Sequence, residues 1–211
     1  MKIRFIGDVH GKWSKYRKLI KGVKRSLQVG DFGIGFCNPM TEKPYSNPPY
    51  DHMARGEHYF IRGNHDNPNT CKRHPFWIKD GGSAFGRNDI FCVGGALSID
   101  KDRRTEGYDW WHDEELSYAQ LCSLMDVYEI VKPKIVVSHE CPESVITKIC
   151  HTQGKFKYDI PSVTRRCFDN FLEIHKPDLW IHGHWHLSAW TIYKGVQFIS
   201  LNELEYVDLD V

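Results

Sequence analysis

Along the chain, apolar runs of three or four residues alternate with longer stretches in which apolar side chains recur every third or fourth position. The short runs, at residues 3–6, 27–29, 59–61, 90–93, 135–137 and 179–181, are dominated by Ile, Val, Leu and Phe and read as buried strands. The longer stretches, at 14–24, 114–131 and 162–175, read as helices. In the first of them Tyr16, Leu19, Ile20 and Val23 form the apolar face with basic residues between, and the other two are stopped by Pro133 and Pro177. Three further runs, at 190–193, 196–200 and 206–209, the first two separated by Lys194-Gly195, read as a terminal antiparallel pair or meander. Strands and helices in alternation predict an α/β architecture.

Residues 36–56 break this pattern. They contain Pro39, Pro44, Pro48 and Pro49 and are expected to be an irregular loop, either a rim over a site or a surface insertion. The rest of the chain reads as one domain spanning residues 1–211. With 41% hydrophobic and 26% charged residues it has an ordinary globular composition. Twenty-eight basic residues against 27 acidic give a net charge of +1, which supports neither a general nucleic-acid binder nor a membrane-surface binder, although a local patch for nucleic acid stays open. Seven cysteines, odd in number and without a CxxC pair, point to a reducing compartment. The amino-terminal residues run directly into a strand without a signal-peptide h-region, and no apolar run reaches 18 residues, so a cytoplasmic protein is expected.

The chemistry lies in five polar clusters, each directly after a predicted strand, where the loops of an α/β sheet converge on one crevice. Asp8-Val9-His10 offers a carboxylate and an imidazole that an extended backbone would turn to one side. Gly30-Asp31 offers a carboxylate whose two oxygens can bridge two cations. Gly63-Asn64-His65-Asp66 offers a carboxamide oxygen and an imidazole that titrates near neutrality, which Asp66 could orient. Ser138-His139-Glu140 adds a further imidazole. In His182-Gly183-His184-Trp185-His186, His184 and His186 share a side if the backbone is extended. Oxygen and imidazole donors without thiolate favour Mn²⁺, Fe, Zn²⁺ or Ni²⁺, with Mn²⁺ first, over a structural zinc site. Two carboxylates, one carboxamide and four histidines suffice for two divalent ions, and a pair of such ions hydrolyses phosphoesters.

The ordered series Asp8-x-His10, Gly30-Asp31, Gly63-Asn64-His65-Asp66, His139 and Gly183-His184-x-His186 resembles the calcineurin-like metallophosphoesterase superfamily over nearly the whole chain. The resemblance implies a two-sheet β-sandwich flanked by helices, a four-layer α/β/β/α arrangement. It implies that Asp8, His10 and His186 hold one metal, that Asn64, His139 and His184 hold the other, and that Asp31 bridges them. It further implies hydrolysis of a phosphodiester or phosphomonoester by a metal-bound hydroxide, with His65 as proton donor.

Gly7-Asp8-Val9-His10-Gly11 also resembles the opening of the Ser/Thr phosphoprotein phosphatases. Their second block, however, continues Asp-Arg-Gly, whereas Ile34 stands here where the acid would be, and Asp66 is the candidate replacement. The same fold also serves nucleases and non-catalytic interaction scaffolds; the intact His65 and seven ligands argue against a scaffold. Arg103, Arg104 and the stretch from Arg62 to His74 are the candidate contacts for a substrate phosphate, and the expected substrate is a small molecule or nucleotide.

Overall fold

A computed structural model describes residues 1–38, 43–44, 47–155 and 160–211, without the side chains of Asn38, Lys43 and Pro44. Two mixed sheets form the centre. The first has the order β11 (Tyr206–Asp210), β1 (Lys2–Ile6), β2 (Arg25–Gln28), β5 (Glu57–Phe60). The second has the order β6 (Ile90–Val93), β7 (Ile135–Ser138), β8 (Leu179–His182), β10 (Val196–Ser200), β9 (Ala189–Tyr193). Pairing is parallel within β1–β2–β5 and within β6–β7–β8–β10, and antiparallel at β11 and β9. Of the antiparallel pair or meander expected at the carboxyl end, the pair forms and the third run leaves it. β9 and β10 make a hairpin in the second sheet, and β11 crosses to the first, where Lys2 pairs with Asp210 and Ile6 with Tyr206.

Alternation within the apolar runs explains the layers. Ile90 and Cys92 of β6, Ile135 and Val137 of β7, and Ile181 of β8 face Ile3, Phe5, Leu27 and Val29 in a core between the sheets. Phe91, Val93, Val136 and Trp180 point the other way, onto α4 (Tyr118–Val131), α5 (Glu143–Thr152) and α6 (Val163–Ile174). A third cluster, with Ile6, Phe32 and Phe60, packs beneath α1 (Trp13–Ile20), α2 (Tyr50–Met53) and α3 (Pro68–Cys71). Strands buried on both faces carry near-continuous apolar sequence, and this is why they are legible.

α4 begins four residues later than the pattern predicts, because Ser117 and Gln120 close a capping box there, and it ends where Lys132 takes a φ of 45° before Pro133. α5 is absent from the sequence-based expectation. Residues 36–56 are not wholly irregular: they contain the two-residue strands β3 (Cys37–Asn38) and β4 (Lys43–Pro44), and α2, which buries Met53. Pro39 and the remainder of the tip, residues 39–42 and 45–46, lie outside the described residues, so much of the expected rim does as well.

Candidate active site

The parallel strands of both sheets end on one edge of the sandwich. Asp8 follows β1, Asp31 follows β2, Asn64 and His65 follow β5, His139 follows β7, and His184 and His186 follow β8. The loops are knotted together by backbone hydrogen bonds, the N–H groups of Val9 and His10 both donating to the Asp31 carbonyl at 2.9 and 2.8 Å. All seven expected ligands are thereby gathered in one cluster, and Asp8, Asp31, Asn64 and His139 are buried.

Extended backbone is not what turns the histidines inward. His10, Asp31, His184 and His186 have φ of 48°, 53°, 67° and 48°, in the left-handed region that non-glycine residues seldom adopt. Such strain persists only where surrounding packing fixes it, and here it is concentrated on the residues that converge. Gly183 serves a different purpose: a Cβ there would lie 2.3 Å from Asp8 Oδ1, so only glycine lets β8 approach the Asp8 carboxylate so closely.

Three overlapping donor groups meet here, Asp8–His10–His186, His10–Asp31–His65 and Asp31–His139–His184, and the last two share Asp31. Its Oδ2 lies 3.8 Å from His10 Nε2, and its Oδ1 lies 3.2 Å from His139 Nε2. On the first side, His186 Nε2 is 3.0 Å from Asp8 Oδ2 and 3.1 Å from His10 Nε2. On the second, Asn64 Oδ1 is 3.1 Å from His139 Nε2, and donor atoms of Asp31, His139 and His184 lie within 4.8 Å of one another.

This arrangement fits divalent cations. Asp8 Oδ2 is buried and faces only imidazole nitrogens, His186 Nε2 at 3.0 Å and His10 Nε2 at 3.9 Å, and these two nitrogens, facing each other, can share at most one proton. His139 donates from Nδ1 to the Val29 carbonyl at 2.9 Å, which leaves Nε2 as the ligating nitrogen. Burial would lower the pKa of His139, but Asp31 and then Asp8 outweigh it and raise it to about 10, so the carboxylates favour positive charge at this position. Burial likewise pushes Asp31 up, yet the imidazoles of His139, His65 and His10 hold it well below the usual carboxylate range. His184 is driven down to about 3, by burial first and then by the charge on His139.

His65 sits over this cluster with Phe36 stacked on it, ring centroids 5.0 Å apart and planes 10° from parallel. Its Nε2 is 2.7 Å from Arg104 Nη2, and Arg104 is also paired with Asp100. Arg103 is exposed, and the neighbouring cleft of about 420 Å³ is lined by Arg104 but not by Arg103. Arg62 is corrected as a phosphate ligand: it is buried and committed to Asp80 at 3.2 Å and to the Glu114 carbonyl at 2.7 Å. The orienting role expected of Asp66 is also corrected. Its carboxylate accepts from the N–H groups of Phe32, Gly33, Ile34 and Gly63 at 2.6–2.9 Å, which ties the Asp31 loop to the Asn64 loop. Sequence reasoning missed Glu140, whose Oε2 lies 3.7 Å from His184 Nε2 and 3.3 Å from Arg165, and whose Oε1 accepts from Trp185 at 2.6 Å. It also missed Ser98 and Glu114.

Sandwich, strand-end loops and clustered oxygen and imidazole donors together define a candidate metal centre at the sheet edge. The family model of the calcineurin-like phosphoesterases matches residues 1–188, and the chain belongs to that family, whose members are phosphoester hydrolases that work with divalent metals. Among solved structures it is similar to TT1561 of Thermus thermophilus, at 14% identity and a TM-score of 0.54 over 96% of this chain and 89% of the other. It is also similar to the phosphopantetheinyl hydrolase PptH of Mycobacterium tuberculosis, at 15% identity and a TM-score of 0.51 over 96% and 89%. At such identities the likeness is one of fold. Curated protein sequences give no match. No helix among the described residues is long and apolar enough to cross a membrane.

Proposed function

We propose that this chain is a dinuclear-metal phosphoesterase acting on a small phosphodiester or phosphomonoester. The observation that carries the reading is Asp31, whose two oxygens face His10 on one side and His139 on the other. Asp8, His10 and His186 would hold one ion and Asn64, His139 and His184 the second, with Mn²⁺ the favoured metal for this donor set. The ions supply Lewis acidity, lowering the pKa of water and neutralising charge on the phosphoryl oxygens.

The chain's own residues do the rest. Arg104, at the cleft wall, binds a phosphate oxygen. A guanidinium has no acceptor, so in its contact with His65 it must donate, and Nε2 carries the lone pair. A substrate phosphate that draws Arg104 away frees this nitrogen to take up the proton that the attacking water gives up and to pass it to the leaving oxygen. Trp185, Leu187 and Ile99 give the cleft an apolar wall that suits the organic part of a small ester or nucleotide. Seven free thiols support a reducing, cytoplasmic setting.

The test is an assay of metal-reconstituted protein on bis-aryl diesters, aryl monoesters, cyclic nucleotides and phosphopeptides. Hydrolysis of a small ester that depends on added Mn²⁺ is expected; turnover of phosphopeptides alone would overturn the small-ester reading, and inactivity on all four would overturn the enzyme reading.

A further inference from the structure

Asn64 is the one neutral ligand in the proposed set that has two different ends. Only its Oδ1 can ligate a cation; turned by 180° about its last bond, it would present an NH₂ group. The choice is fixed from both ends: His139 Nε2 meets Oδ1 at 3.1 Å inside the ligand cluster, and a chain of hydrogen bonds outside it holds Nδ2. Asn64 Nδ2 donates to Ser98 Oγ at 3.0 Å, Ser98 Oγ donates to Glu114 Oε2 at 2.7 Å, and Ser98 N donates to Glu114 Oε1 at 2.7 Å. Asn64, Ser98 and Glu114 are each 2% exposed, so water does not substitute for any member.

The direction of this chain follows from its far end. Glu114 accepts from Ser98 at both oxygens, and where it is ionised, above pH 7, it only accepts, so the single hydroxyl proton of Ser98 is committed to it and Oγ turns lone pairs toward Asn64. The amide must then offer Nδ2 there, and its Oδ1 is sent to the opposite side, 3.1 Å from His139 Nε2. The chain is also closed into a ring. Arg62, two residues before Asn64 on the same strand exit, donates from Nη1 to the Glu114 carbonyl at 2.7 Å and is itself paired with Asp80. Gly95 keeps the ring tight, since a Cβ there would meet the Glu114 carbonyl oxygen at 2.4 Å and Arg62 Nη1 at 2.8 Å.

We infer that Ser98 and Glu114 are positioning residues that fix the amide of Asn64 with its oxygen toward the second cation. This rests on the dinuclear reading above, in which Asn64 is a ligand. Neither residue belongs to the ligand cluster itself, so their influence passes through the orientation of one side chain. Outer partners of this kind characteristically change metal affinity by about 10–100-fold when removed.

The experiment titrates the metal-stripped protein with Mn²⁺ alone at pH 8, where Glu114 is ionised, by calorimetry, for wild type and for Asn64→Ala, Ser98→Ala, Ser98→Thr and Glu114→Gln. Ser98→Ala and Glu114→Gln are expected to weaken one of the two Mn²⁺ ions by about 10–100-fold and leave the other within a few-fold. Ser98→Thr, which keeps the hydroxyl, is expected to restore affinity. If Asn64→Ala loses one ion while Ser98→Ala and Glu114→Gln bind both as wild type does, the positioning role is wrong and the ligand set stands. If Asn64→Ala itself keeps both ions, the ligand reading fails. A measurement on wild type covers variants that do not fold: the Asn64 side-chain amide protons in metal-free protein should exchange slowly and show contacts to Ser98. Exchange at the rate of a free amide would overturn the proposal.

Discussion

Arg104 Nη2 lies 2.7 Å from Nε2 of His65, so a guanidinium of the cleft rests on the ring proposed to act on substrate. Burial first, and the guanidinium charge among lesser causes, push His65 down to about 4, while Asp31 pulls the other way. The bare chain therefore keeps His65 neutral at pH 7.

That contact separates two arginines that are equivalent in the sequence. Arg104→Ala is expected to lower kcat/KM on phosphoesters by ~10²-fold, the usual loss when one donor to a developing anion is removed. Arg103→Ala should stay within about threefold of wild type, the range expected when a solvated charge outside the cleft is removed. Steady-state kinetics on one aryl ester decides between them; equal losses would place both in the site.

His65→Ala tests the proton-donor role by its dependence on the leaving group. General acid catalysis contributes ~10²–10⁴-fold and matters most where the departing oxygen is basic. The variant should thus lose far more rate on an alkyl ester than on a nitrophenyl ester, with both metals retained by mass spectrometry. Equal losses with full metal occupancy would make His65 a phosphate-binding residue.

Much of the fold and the candidate site is legible in the sequence because the strands are buried on both faces and the proposed ligands follow them in order. Ile90–Val93 reads as a strand from composition alone, and Asp8, Asp31, Asn64, His139 and His184 stand just past such runs. Local periodicity does not reach further. Asn64 and Ser98 are 34 positions apart and Ser98 and Glu114 are 16 apart, and nothing near any of them marks the ring they close. Arg62 and Asp66 look like site residues because a charged group in a polar cluster is ambiguous until its partners, Asp80 and four backbone N–H groups, are known. α5 is hidden for a related reason: its apolar face, Val145, Ile146, Ile149 and Cys150, is short and lies between the polar Ser138-His139-Glu140 cluster and a chain segment without pattern.

Asp31→Asn is expected to abolish activity and lower the content of both metals, because its carboxylate is shared by the two ligand groups. An amide carries no charge and one acceptor oxygen, so it cannot replace a bridging carboxylate. His186→Ala, confined to the Asp8 side, should lower the content of one metal only. Elemental analysis of the purified variants gives the answer, and Asp31→Asn protein with both metals at wild-type affinity would remove Asp31 from the bridging position.

Glu114 carries a pH dependence that metal-free protein shows through its stability. Burial pushes its carboxyl from the ordinary 4.5 up to about 7, against the pull of its hydrogen bonds to Ser98. Between these values the folded chain holds a proton that the unfolded chain has released, so stability falls as pH rises across that window and levels off above it. The full loss amounts to about 3 kcal/mol at 1.36 kcal/mol for each pKa unit. Glu114→Gln cannot ionise; it gives up one acceptor to Ser98 at every pH, a constant offset, but removes the slope. In metal-free protein the stability of Glu114→Gln relative to wild type should therefore climb by about 3 kcal/mol between pH 4.5 and pH 8. For a chain of this size that is a relative rise in Tm of roughly 6–12 °C. Urea unfolding of both proteins at four pH values measures it. Parallel profiles would mean that Glu114 is already ionised at pH 5, held so by Ser98 more strongly than burial opposes it.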